Sequence, residues 1–117
     1  MRSLGELERT TLEHLWNAPR PLTPTALREQ LAVGEQRELA LSTVMTVLSR
    51  LEKKGFVARD RTVRPATYAP FQAREEYIAE IMHDALGTAG DRTEALAHFV
   101  GRASTTETAA LKQLLGL

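Results

Sequence analysis

Apolar and polar positions separate most cleanly in residues 41–54. Val44, Val47, Leu48 and Leu51 recur at spacings of three and four and fall on one side of a helix. Ser42, Thr43, Thr46, Ser49, Arg50 and Lys53 fall on the other side, which carries no acid. Lys54 and Gly55 follow, and glycine suits the left-handed residue that ends a helix. Residues 56–58 read as a short strand, 59–64 as a basic turn and 66–68 as a returning strand. Helix, strand, basic loop and strand outline a winged helix-turn-helix.

The preceding forty residues supply two supporting helices. Ser3-x-x-Glu6 is a candidate capping box, followed by a stripe of Leu4, Leu7, Thr11, Leu12 and Leu15 with Trp16 beside it. Pro19 and Pro21 end that helix, and Leu22 falls in a short extended piece. Thr23 and Pro24 suit the cap and first position of a second helix, with Ala26, Leu27 and Leu31 as its buried side. Gly34 closes it, and a polar connection leads into the third helix.

Beyond the wing, Ala69 and Pro70 mark a boundary between residues 1–70 and residues 71–117. Phe71, Ile78, Ile81, Met82, Ala85 and Leu86 predict a stripe on a helix of about sixteen residues. Asp91-x-x-Glu94 and Ser104-x-x-Glu107 cap two further helices. These carry Leu96, Phe99 and Val100, then Leu111, Leu114 and Leu115. Three such short helices cannot bury their apolar faces alone. A second copy of the chain is the expected cover, since two-fold homodimers are the commonest assembly. The expected class is mainly α with a small antiparallel β wing: a winged-helix domain plus a C-terminal helical dimerisation domain.

Composition narrows the reading. The 117 residues are 43% hydrophobic, enough for a core, and contain no cysteine, which excludes disulfides and thiolate metal sites. No apolar run is long enough to span a membrane, and the first residues lack a signal-peptide pattern. A cytoplasmic protein is expected, without membrane insertion. The net charge is zero, but residues 1–70 hold eleven basic and eight acidic side chains, against four and seven in 71–117. Residues 42–64 hold six basic and two acidic. A local basic patch of this kind matters more for DNA than the total.

The chemistry of the third helix suits a major groove: small hydroxyls that allow close approach, then a guanidinium and ammonium groups. Lys53, Lys54, Arg61 and Arg64 fit phosphates better than bases, and the second helix presents free N–H groups near Thr25 to a phosphate. Plainer readings stand beside these. Thr43 and Thr46 could be ordinary exposed threonines, Arg50 could pair with Glu38 or Glu52, and Arg61 and Arg64 could be solvated wing charges. His14, His83 and His98 are scattered among different helices and imply no metal. Neither a nucleophile constellation nor a glycine-rich phosphate loop appears, so neither an enzyme nor a cofactor is expected. A winged helix used only for protein interaction is the alternative, but its groove-facing surface would be apolar or acidic.

The run T-V-M-T-V-L-x-R-L-x-K-K-G at 43–55, followed by Tyr68, Ala69 and Pro70, resembles the penicillinase-repressor/methicillin-repressor (BlaI/MecI) family, and the likeness extends over nearly the whole chain. The resemblance implies a dimeric winged-helix repressor on an inverted-repeat operator, with the C-terminal helices forming the dimer. It implies base and phosphate contacts at Ser42, Thr43, Thr46 and Arg50. The apolar stripes already identified give the expected dimer interface: Ile78, Ile81, Met82, Ala85, Phe99, Leu111, Leu114 and Leu115. It further implies release through cleavage by a membrane sensor protease, at the bond between His98 and Phe99. His98 stands where the best-known members have Asn. A beta-lactam response is what the family name suggests. The lack of cysteine departs from the branch that senses copper.

Overall fold

The computed structural model describes residues 3–117. Its order is α1 (Glu6–Asn17), α2 (Pro24–Gly34), α3 (Leu41–Lys53), β1 (Val57–Asp60), β2 (Thr67–Pro70), α4 (Arg74–Leu86), α5 (Arg92–Gly101) and α6 (Thr105–Leu115). The chain forms two compact units, Met1–Tyr77 and Ile78–Leu117.

In the first unit, α1, α2 and α3 pack around Leu12, Leu15, Leu27, Leu31, Val44 and Leu48, all buried. The apolar stripe of α3 is the buried one: Val44, Val47, Leu48 and Leu51. Thr23 caps α2 by accepting from the Ala26 N–H, with Pro24 in the first turn, as its sequence implied. The start of α1 differs. Gly5, not Ser3, is the N-cap, and Glu8, not Glu6, reaches back to the Gly5 N–H at 3.0 Å. The helix is thus entered two residues later, and Gly5 offers no side chain for the reciprocal bond.

Gly55 adopts φ 83°, the left-handed turn that ends α3. The strands are longer than their sequence suggested. Arg59 and Asp60 belong to β1 and pair with Tyr68 and Thr67, so the basic turn narrows to residues 61–66. Leu22 bridges to Tyr68 through bonds of 2.8 and 3.0 Å, adding the extended piece expected there. Phe71 lies outside α4 and is exposed, contrary to its place on the expected stripe. The first unit instead runs past Pro70, because Tyr77 is buried against Trp16 and edge-on to Phe56, with ring centroids 5.6 and 5.4 Å apart. Arg74 stacks on Trp16 and bonds Glu13 at 2.8 Å and Asn17 at 2.7 Å.

In the second unit, Asp91 caps α5 by accepting from the Glu94 N–H, and Ser104 with Glu107 completes a capping box on α6. Neither α5 nor α6 buries a side chain in the single chain. Ile78, Ile81, Met82, Leu96, Phe99, Leu114 and Leu115 are all exposed. An apolar groove of about 710 Å³ lies between α5 and α6, lined by Phe99, Leu111 and Leu114 among others. No helix among the described residues is long and apolar enough to cross a membrane.

Candidate nucleic-acid interface

The face of α3 opposite the core carries Ser42, Thr43, Thr46, Ser49, Arg50 and Lys53, all exposed. The Thr46 hydroxyl donates to the Ser42 carbonyl at 2.9 Å. Its donor is therefore engaged, and what it offers outward is a lone pair and a methyl group. Arg50 pairs with neither Glu38 nor Glu52; among the described residues no ion pair holds it. Glu52, the one carboxylate of α3, is paired with Arg61 at 3.3 Å, which ties the wing to the helix and neutralises the only acid on it.

The wing turn is shaped by Asp60, whose Oδ1 accepts from both the N–H and the hydroxyl of Thr62. Those two bonds hold its carboxyl below the usual carboxylate range against a weaker upward push from burial. Arg64 lies exposed in the loop. Thr25 is exposed in the first turn of α2.

Two residues at this surface were not singled out as contacts in the sequence. Met45 is 48% exposed and sits among the hydroxyl residues, an apolar side chain off the buried stripe. Arg59 projects from β1 with its guanidinium 5.8 Å from the centre of the Tyr68 ring, a contact that restrains a long side chain. Met45 was recognisable as apolar but out of register with Val44, Val47, Leu48 and Leu51. Arg59 needed the strand register.

Lys54 does not belong with the free cations. Its ammonium donates to both Glu8 carboxylate oxygens, at 3.0 and 2.8 Å, and to the Ser3 carbonyl at 3.0 Å. The ammonium expected on a phosphate is engaged in an internal ion pair in this structure. The Glu8 carboxyl is pushed up by burial, but the bonds from Lys54 and the Gly5 N–H and the charges of Lys54 and Arg50 outweigh this and hold it below the ordinary range.

Three helices, an acid-neutralised polar face on the third and a basic two-stranded wing define a winged helix-turn-helix. Solved structures agree on the fold. H. salinarum RosR matches with a TM-score of 0.54 at 20% identity, over 86% of this chain and 93% of that one. A MarR family protein from Bacillus stearothermophilus matches with a TM-score of 0.52 at 22% identity, over 96% and 70%. At the level of sequence, the penicillinase repressor family model matches residues 4–116. The transcriptional regulator BlaI of Mycobacterium tuberculosis is 44% identical over 115 residues, 96% of this chain and 82% of that protein. The chain belongs to the penicillinase repressor family, whose members are transcriptional regulators and not enzymes.

Proposed function

We propose that this chain is a transcriptional repressor that binds double-stranded operator DNA as a homodimer, one α3 in the major groove of each half of an inverted repeat. The observation that carries the reading is the exposed face of α3, where hydroxyls precede a guanidinium that no ion pair holds among the described residues and the one carboxylate of the helix is covered by Arg61. Ser42, Thr43, Thr46 and Arg50 face base edges and adjacent phosphates. Met45 is placed for apolar contact with a thymine methyl. Lys53, Arg61 and Arg64 meet backbone phosphates, and the N-terminus of α2 at Thr25 adds a further anion contact. A winged helix serving only protein contacts would have no use for this charge arrangement.

The dimer forms through the second unit. Ile78, Ile81, Met82, Ala85, Phe99, Leu111, Leu114 and Leu115 are apolar, and all are exposed except Leu111, which is half-buried. A surface this apolar calls for a partner. Release follows from breaking that dimer. A linked second domain sits at high effective concentration, so losing the link costs about 100- to 10,000-fold in affinity. The bond between His98 and Phe99, in the exposed α5, is the point at which a membrane sensor protease would cut. The test is to sequence genomic fragments captured by the purified chain and titrate the recovered site. Selective binding of the full chain is expected, with strong loss for a fragment of residues 1–98. Equal affinity for operator and random DNA would overturn the reading. A 1–98 fragment that dimerised and bound fully would remove cleavage as the switch.

A further inference from the structure

We propose that Glu8 and Lys54 form a positioning pair for DNA recognition, clamping the C-terminal end of α3 to the N-terminal end of α1, with Lys54 acting through this clamp and not on a phosphate. The inference rests on the reading of α3 as the base-contacting helix.

The geometry is that of a strut. Lys54 is the residue that caps α3. Its ammonium has three N–H donors, and among the described residues both oxygens of Glu8 and the carbonyl of Ser3 accept from it. Glu8 is itself fixed, its side chain only 11% exposed and one oxygen accepting from the Gly5 N–H. A phosphate-contacting ammonium would need to swing outward, which would strand this shielded carboxylate without its partner. The charges also suit the helix ends they occupy, acid in the first turn of α1 and base after the last turn of α3.

Arg50 lies one turn before Lys54, and the Lys54 N–H bonds the Arg50 carbonyl at 3.0 Å. The backbone that carries the guanidinium is therefore the backbone that the clamp holds. Leu48 and Leu51 secure the core side of the same turn, so the clamp governs the remaining freedom, the angle at which that turn leaves the core.

Operator and random-DNA affinities across a salt series test this in Lys54→Met and Glu8→Gln. For Lys54→Met, operator affinity is expected to fall about tenfold, within the range for one lost base contact. Random-DNA affinity and salt slope should stay as in the wild type. Glu8→Gln should also lose operator preference, although it frees Lys54. Two results overturn the clamp while leaving the groove-binding role of α3 in place. One is a uniform loss on all DNA with a slope reduced by about 1 in Lys54→Met, the mark of a phosphate contact. The other is an unchanged operator-to-random ratio in both variants. If a single variant fails to fold, the paired Glu8→Leu/Lys54→Met leaves no buried charge unpaired, and the same ratio is read there. A wild-type chain without operator preference would remove the reading of α3 itself.

Discussion

The Thr46 hydroxyl donates to the Ser42 carbonyl one turn back, at 2.9 Å, so in this arrangement it presents a lone pair as acceptor on the exposed face of α3. An acceptor there matches the amino groups that cytosine and adenine display in the major groove. Thr46→Ala is expected to weaken operator binding by about 1–3 kcal/mol. Because the site is exposed, melting should move by no more than about 0.5 kcal/mol. Thr46→Ser should retain most of the binding if the lone pair matters, and little of it if the methyl does. Fluorescence anisotropy on labelled operator separates the two.

Tyr77 should matter for stability and not for charge. It packs against Trp16 and Phe56 at the end of the first unit. Tyr77→Ala removes a buried ring and should cost about 3 kcal/mol in urea unfolding. A change below about 0.5 kcal/mol would mean that the unit ends at Pro70 after all.

Acid should expose the Glu8–Lys54 contact. The Glu8 carboxyl is held below its unfolded value, so its contribution is complete above the unfolded pKa of about 4.3 and is lost as pH falls through the lower folded value. Wild-type stability should therefore drop more steeply than that of Glu8→Gln on going from about pH 5 to about pH 3. Parallel curves in thermal melts would show that the pair adds nothing.

Local chemistry was readable from sequence and distant pairing was not. The stripe of α3, the Thr23 and Ser104 caps and the stop at Gly55 each depend on neighbours within four residues, and each lies where its spacing placed it. Lys54 and Glu8 are 46 positions apart, and only folding brings them within 2.8 Å. For the same reason the pairing of Glu52 with Arg61 rather than with Arg50 was not legible. Tyr77 was obscured by its neighbours: it follows Glu75 and Glu76 and sits one turn before Ile81, at the edge of the stripe that was expected to face a second copy of the chain. The start of α1 slipped by two residues because Ser3/Glu6 and Gly5/Glu8 both fit the spacing, and a serine looks the better cap.

The second unit gives an independent test of the dimer. Leu111 lines the apolar groove between α5 and α6. Sedimentation should find the wild type as a dimer at tens of micromolar. Leu111→Asp, which puts a carboxylate into an apolar interface at a cost of several kcal/mol, should be a monomer with unchanged helix content. A monomeric wild type would contradict the assembly.

Arg50 carries the most direct test of the account, since among the described residues no ion pair holds its guanidinium on the groove face. The measurement is the affinity of Arg50→Ala for operator and for random DNA, beside Lys53→Ala and Arg64→Ala. Arg50→Ala is expected to lose about 1–3 kcal/mol on operator and little on random DNA. Lys53→Ala and Arg64→Ala should weaken both alike and lower the salt slope by about 1 each. An equal loss on operator and random DNA for Arg50→Ala would contradict base reading by α3.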